Sequence, residues 1–365
     1  MAATSRAIVF EGPGRPLAMR AFPHPALAAG ELLVAVSCST LCASDLHTFA
    51  GRRETPCPTI LGHEMVGRIA ELPPGDPPLD LSARPLAKGD RVTWSVAASC
   101  GECFYCDRGL PQKCERLFKY GHERIDKRHP LSGALAEHCH LARGTAVLRV
   151  PDELADEVVS PANCATATVT AALRAAGECR DQAVLIQGAG MLGLTAAAMA
   201  NTKGAREVIV ADPDLGRLER AERFGATIAV YLRPGANELA DVVADATSGR
   251  GVDVALELSG EAAAFETGLP LVRSGGRYVL VGAVFPNRAA ALPAELVVRR
   301  LLRIEGVHNY TPADLLTALR FLAEAHTRYP FAELVTARFP LALAEAAFEH
   351  AIATKAPRVA VVPQS

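Results

Sequence analysis

The stretch AVLIQGAGMLGLTAAAMA, residues 183–200, decides the fold. An apolar strand runs into Gly188, Gly190 and Gly193 in the order G-x-G-x-x-G, and an alanine-rich helix follows without a break. In that setting each glycine has its own physical task. Gly188 permits the tight turn, Gly190 lets a pyrophosphate approach the backbone, and Gly193 lets helix pack on strand. The free N–H groups at the helix start, around Met191 and Leu192, face the phosphates. A second apolar strand, EVIVAD, ends in Asp212, nineteen residues beyond Gly193. A carboxylate there accepts hydrogen bonds from ribose hydroxyls and repels a 2′-phosphate, so NAD is expected over NADP. Arg217 tempers that preference if it lies along the adenosine, because a guanidinium also accommodates a 2′-phosphate. Alternatively it is a solvated helix charge paired with Glu219 or Glu222.

Further strands, DVALEL and YVLVGA, continue the alternation of strand and helix that begins near Ser160. That alternation predicts βαβ units and a parallel sheet. Upstream the texture differs. AIVF at 7–10, ELLVAVSCS at 31–39 and MVGRIAEL at 65–72 are separated by Gly and Pro, and the first 70 residues read as all-β. Residues 71–88 are too rich in proline for a strand or helix interior and read as a surface loop before the strand DRVTWSV. The last 60 residues hold two helical runs, PADLLTALRFLAEAH and LAEAAFEHAI, and a final strand, RVAVV. Such a tail is able to return and complete the first domain. A chain of 365 residues suggests two domains.

Composition removes several classes of function. Lys plus Arg total 38 against 40 Asp plus Glu, so no global positive field is available to hold a nucleic acid. Half the chain is apolar, yet no window is long and apolar enough for a membrane span, and the start, MAATSRAIVF, lacks the core of a signal peptide. A cytoplasmic protein is the expectation. Ten cysteines are too sparse for a disulfide scaffold in a chain this long and point to metal binding or chemistry.

Cys100, Cys103, Cys106 and Cys114 form C-x-x-C-x-x-C-x₇-C in a Gly-containing loop. Four thiolates so placed are able to close a tetrahedron around Zn²⁺ with no open position, a structural site; an iron–sulfur cluster is the main rival. Cys42 in LCASDLH, His63 and Glu64 in ILGHEMVG, and Cys164 in PANCATAT are scattered. Singly, each is as readily an ordinary buried residue.

Together these landmarks resemble the zinc-containing medium-chain alcohol dehydrogenases. The resemblance spans essentially the whole chain, in order: CASDLH, GHE with a glycine three residues on, GDRV, the four-cysteine loop, SGALAEH, Cys164, and the G-x-G-x-x-G strand and helix. It implies an α/β fold with a doubly wound Rossmann sheet and a GroES-like β domain. Residues 1–162 would form the GroES-like catalytic domain with the zinc loop 100–114, residues 163–305 the Rossmann domain, and residues 306–365 the return to the catalytic domain. It further implies two zinc ions per chain, one structural and one held by Cys42, His63 and Cys164, with Glu64 just behind the metal. Three protein ligands leave a position for water or substrate oxygen. Ser44 matches the hydroxyl that touches the substrate oxygen and His47 the outer end of a proton relay. Ala43 stands where some members carry a basic residue toward the cofactor phosphates, and Arg358 is the candidate to supply that charge.

The implied reaction is hydride transfer between the CH–OH of a small alcohol and NAD, in a homodimer or homotetramer. A polyol- or threonine-type enzyme, one using NADP, and a catalytically silent relative that only binds remain alternatives; Cys164, where many polyol enzymes have glutamate, argues against a sugar alcohol. Residues 113–129, KCERLFKYGHERIDKRH, carry a local excess of positive charge. There His122, Arg124, Lys127 or Arg128 would greet an anionic substrate, or the run is a solvated face. The stretches around PANCATAT and FKYGHE also resemble a subgroup described as phosphonate-catabolism-associated alcohol dehydrogenases, a likeness that supplies no substrate.

Overall fold

The helix Met191–Thr202 is buried all round, from Met191 and Gly193 through Ala200, and its run of small residues is what allows it to lie flat on a sheet. That sheet has six strands, all parallel, in the spatial order Ile228–Tyr231, Glu207–Asp212, Ala183–Gln187, Val252–Glu257, Val272–Leu280, Arg303–Gly306. Numbered along the chain this is 3-2-1-4-5-6, the doubly wound Rossmann order, whose switch point lies beside the first strand. The four strands expected from the sequence are the central ones. Ile228–Tyr231 and Arg303–Gly306 were not foreseen: each is an edge strand of four residues with little buried surface, so neither shows a long apolar run.

The computed structural model describes residues 3–363 apart from 234, 236 and 286. The chain forms two compact units, one of residues 1–167, 311–326 and 331–365, the other of residues 168–310 and 327–330. The second contains the Rossmann sheet. The first is built on an eight-stranded sheet whose main path runs Val335–Pro340, Arg358–Val362, Leu32–Thr40, Glu64–Glu71, Arg91–Ala98, Phe118–Lys119. A three-stranded sheet, Ala18–Pro23, Thr4–Phe10, Thr59–Ile60, completes it. The C-terminal segment contributes the strand Arg358–Val362, which pairs antiparallel with Leu32–Thr40 through Ala360 and Thr40.

Leu32–Thr40 is central in both sequence logic and space. Leu33 faces one apolar cluster, with Phe10, Ile60 and Phe348, while Leu32, Val34 and Val36 face another, with Met65, Ile69 and Trp94. A strand covered on both faces needs apolar residues at successive positions, which explains the unbroken run LLVAV. The all-β reading of the first 70 residues needs one correction. A helix, Ala43–Phe49, follows directly on this strand. It is seven residues long and too short to display a 3.6-residue apolar period; its signature is local, with Asp45 accepting from the backbone N–H of Cys42 at its start. The proline-rich 71–88 segment is irregular, as its composition requires, with a single bridge between Leu79 and Pro85.

At the Rossmann turn Gly188 has φ +106°, a left-handed conformation that favours glycine, and a Cβ on Gly193 would lie 1.7 Å from the Gly188 carbonyl oxygen. Gly193→Ala is therefore expected to destabilise the protein by about 1–3 kcal/mol through overpacking, despite alanine's better helix propensity. Calorimetry of the purified variant checks this, and an unchanged or higher melting temperature would contradict the close helix–strand contact.

Candidate metal and dinucleotide sites

Strand register places the first set of ligands. Thr40 pairs with Glu64 across the antiparallel ladder, so Cys42, two residues past one strand, and His63, one residue before the other, emerge at the same end of the sheet. Cys164 arrives from a distant segment, the 3₁₀ turn Ser160–Asn163, which is pinned to that end by side chains. Asn163 Nδ2 donates to the carbonyls of His63 (3.1 Å) and Trp94 (2.7 Å), and the hydroxyls of Ser160 and Thr40 are 3.1 Å apart. The outcome is a buried group in which the ligand atoms of Cys42, His63, Glu64 and Cys164 all lie within 4.8 Å of one another.

The orientation of His63 is fixed. Its Nδ1 lies 3.1 Å from Asp45 Oδ1, which also accepts from Gly62 N–H, while Asp45 Oδ2 accepts from Cys42 N–H. Nδ1 therefore donates to the carboxylate, and Nε2 is turned toward Cys164 Sγ at 3.4 Å and Ser44 Oγ at 3.4 Å. Tetrahedral zinc with ordinary bond lengths sets nitrogen and sulfur about 3.6 Å apart, so the donor pair fits that ion. Asp45 is the functional residue that sequence reasoning passed over. Its signal was present in CASDLH, a carboxylate in the first helical turn after the ligand cysteine.

Behind the ligands, Glu64 is fully buried and is clasped by Arg358: Nε to Oε2 and Nη2 to Oε1, both 2.6 Å, with Thr40 Oγ1 donating to Oε2 at 2.7 Å. Burial pushes the Glu64 carboxyl up to about 7, and the guanidinium holds it from rising further. Arg358, placed by the sequence toward cofactor phosphates, is 4 % exposed and is engaged with Glu64; its Nη2 also lies 3.8 Å from Cys42 Sγ. Both Glu64 oxygens are thus engaged, while Glu64 still belongs to the group of four whose ligand atoms lie within 4.8 Å of one another.

The thiols respond to one another. The hydrogen bond from Cys164 holds Cys42 well below the ordinary thiol value despite burial, with Arg358 helping, and the same contact drives Cys164 well above it. Ser44 and His47 ride on the helix Ala43–Phe49. Burial, followed by the charge of Arg52, holds His47 below the ordinary imidazole value, which leaves it a neutral base at neutral pH.

The second set is a self-contained loop. The sulfurs of Cys100 and Cys106 are 4.0 Å apart, those of Cys103 and Cys114 3.9 Å, and those of Cys114 and Cys100 3.4 Å. A ZnS₄ tetrahedron has edges of about 3.8 Å. Backbone N–H groups of Cys100 and Arg116 point at Cys114 Sγ, and that of Glu115 at Cys103 Sγ, an arrangement that favours thiolates. Those backbone donors, Glu115 first, bring Cys103 down to about 6.

In the Rossmann unit, Gly190 caps the helix Met191–Thr202 in an extended conformation, and a Cβ there would meet nothing within 4 Å. The space above the first-turn N–H groups is thus open, which fits a diphosphate. Asp212 stands at the end of its strand and is nearly buried. Its Oδ2 accepts from Ala189 N–H at 2.7 Å and its Oδ1 from Asp214 N–H at 2.8 Å. Arg217 Nη1 lies 4.0 Å from Asp212 Oδ2, so it faces the carboxylate of the second strand. Of the basic run, His122 is buried with its ring centroid 5.3 Å from that of His63, whereas Arg124, Lys127 and Arg128 are exposed.

Two family models match, "Alcohol dehydrogenase GroES-like domain" over residues 28–152 and "Zinc-binding dehydrogenase" over residues 192–324. A 5-exo-hydroxycamphor dehydrogenase of Pseudomonas putida is 31% identical over 328 residues, 88% of this chain and 89% of that one. The chain belongs to the zinc-type medium-chain alcohol dehydrogenase family. It is accordingly an oxidoreductase of alcohols. An L-threonine 3-dehydrogenase of Burkholderia ambifaria is 30% identical over 335 residues, 90% of each chain. The crystal structure of an alcohol dehydrogenase from Thermotoga maritima superposes with a TM-score of 0.93 over 100% of both chains at 30% identity. Among the described residues no helix is long and apolar enough to cross a membrane.

Since Asp45 orients His63 and raises its basicity, Asp45→Asn is expected to weaken metal binding at the Cys42 set by about 10–100-fold and leave the four-cysteine loop loaded. Competition with a chromogenic chelator resolves the two sites. Loss of both metals together, or of neither, would show that Asp45 does not act through His63.

Proposed function

We propose that this dehydrogenase oxidises the CH–OH of a small alcohol, or reduces the corresponding aldehyde or ketone, with one zinc ion at Cys42, His63 and Cys164, a second in the four-cysteine loop, and NAD as hydride acceptor. The observation that carries the reading is the convergence of two thiols and an imidazole from three chain segments, the imidazole oriented by Asp45, with the neighbouring Glu64 carboxylate engaged by Arg358. When bound, zinc in such an open site acts as a Lewis acid on the substrate oxygen and the nicotinamide accepts the hydride.

The chain's own part is positioning and proton movement. Ser44 Oγ stands beside His63 Nε2, so its hydroxyl is placed to accept the proton of an alcohol held at that point. His47, three residues on and half-buried, is in its neutral form at neutral pH and takes the proton outward. Gly188, Gly190 and Gly193, with the N–H groups of Met191 and Leu192, hold the cofactor diphosphate, and Asp212 selects the 2′-hydroxyl of NAD. The guanidinium of Arg217 beside Asp212 supports a second reading, use of NADP, since it would meet a 2′-phosphate.

Elemental analysis tests the metal content: two zinc ions per chain are expected, and one, or a substantial amount of iron, would overturn the two-site reading. For the cofactor, kcat/KM is expected to favour NAD, and Asp212→Ala is expected to shift the ratio toward NADP by more than tenfold. A wild-type preference for NADP would transfer the role to Arg217. For the relay, His47→Gln is expected to slow oxidation by about 10–10²-fold, most at low to neutral pH where hydroxide cannot replace the base, with partial rescue by imidazole. A pH profile identical to wild type, with a deuterium isotope effect showing that chemistry limits the rate, would remove His47 from the path.

A further inference from the structure

Besides Asp212, the dinucleotide crevice has a second carboxylate at its floor. Glu257 ends the fourth strand of the Rossmann sheet, Val252–Glu257, and pairs with Gln187, the last residue of the first. The strand order reverses between these two, and a doubly wound sheet binds its ligand in the crevice outside their carboxyl ends. Glu257 is 1 % exposed, yet its two oxygens are used unequally. Oε1 accepts from the N–H of Ser259 (2.7 Å), the hydroxyl of Ser259 (2.6 Å) and the N–H of Gly260 (2.7 Å). Oε2 has no hydrogen-bond partner, and among the described residues no basic side chain lies within 4.0 Å of either oxygen. The whole hold of the side chain is thus on the turn 258–260.

That turn touches two others. The Glu257 carbonyl accepts from the N–H groups of Val281 and Gly282, both at 3.0 Å, so the segment after the fifth strand is tied to the same residue. A Cβ on Gly282 would lie 2.3 Å from Gly260 N, and one on Gly260, at φ +82°, would lie 2.7 Å from the Gly282 carbonyl oxygen. The turn also meets the first glycine of the phosphate-binding motif: a Cβ on Gly188 would lie 3.1 Å from Ser259 N and 3.2 Å from Ser259 Cα. The second strand ends in the same manner, where Asp212 Oδ1 accepts from the N–H two residues on, that of Asp214. Each half of the sheet closes on a carboxylate that fastens its own turn. The two halves of such a sheet each take one mononucleotide, and with Asp212 assigned to the adenosine ribose, the half closed by Glu257 meets the nicotinamide riboside.

We propose that Glu257 positions the nicotinamide half of the cofactor: by fastening the turn 258–260 against Gly188 and Gly282, it sets the wall of the crevice at the reacting end of the dinucleotide. The proposal rests on the reading of the chain as an NAD-dependent dehydrogenase and deepens it. Glu257 is a positioning residue, since it acts through the backbone of Ser259 and Gly260, and its three donors need only an acceptor oxygen at that point. A glutamine supplies one, whereas an alanine leaves two N–H groups and a hydroxyl without their partner.

The test titrates NADH and AMP into the zinc-loaded protein by calorimetry, AMP carrying the adenosine half of the cofactor alone. Glu257→Ala is expected to weaken NADH binding by about tenfold or more, the worth of hydrogen bonds to a charged acceptor, and to leave AMP within about twofold of wild type. Glu257→Gln is expected to recover most of the NADH affinity, and Asp212→Ala to weaken both nucleotides. Ser259→Ala, which removes only the hydroxyl donor, is the milder probe should Glu257→Ala not fold: a loss of about threefold for NADH with AMP unchanged is expected. Loss of NADH and AMP affinity in equal proportion, as a general loosening of the unit would give, overturns the proposal, and so does unchanged NADH affinity in the folded variants. Wild-type protein that binds neither nucleotide, with both metal sites loaded, overturns the NAD-dependent reading itself, whereas binding of both without the split overturns only the role of Glu257.

Discussion

The register between Leu32–Thr40 and Glu64–Glu71 is the constraint on which the site depends. Opposing Thr40 to Glu64 sets Cys42 and His63 at one sheet end. A slip of one residue would turn every side chain of the strand to the other face and carry the two ligands apart. The register is held by burial on both faces of Leu32–Thr40, so the packing that stabilises the β unit is also what aligns its chemistry. Cys164 is brought to the same place by the side chain of Asn163, which ties the backbone carbonyls of His63 and Trp94.

Charge compensation forms a second layer. Four buried ionisable groups around the ligands are arranged in satisfied pairs, Asp45 with His63 and Glu64 with Arg358, each with additional backbone or hydroxyl donors. Such pairs add little net stability over an apolar core, but removing one member strands the other and costs about 3–5 kcal/mol. Their value here is orientation: Asp45 fixes which nitrogen of His63 is free, and Arg358 fixes both carboxylate oxygens of Glu64.

The dinucleotide unit shows the same economy of small residues. Gly193 has no room for a Cβ because the Gly188 carbonyl lies over it, while Gly190 has nothing above it at all. One glycine exists for packing and the other for access, although the motif writes both with the same letter.

By itself the sequence determined those features whose physics is local: the glycine turn between a strand and a buried alanine helix, the four cysteines within fifteen residues, the unbroken apolar run of a strand covered on both faces, and the C-terminal strand. Each is set by periodicity, conformational freedom or ligand spacing along a continuous stretch. What only the tertiary structure decided are juxtapositions between stretches far apart. Asp45 behind His63 and Arg358 against Glu64 each join residues whose separation in the chain bears no relation to their separation in space. The short helix Ala43–Phe49 and the edge strands were hidden for a related reason, being too brief to carry a period. Pairing of buried charge is a property of the packed interior, where the low dielectric makes partners obligatory, and no composition of a linear segment reveals which partner that will be.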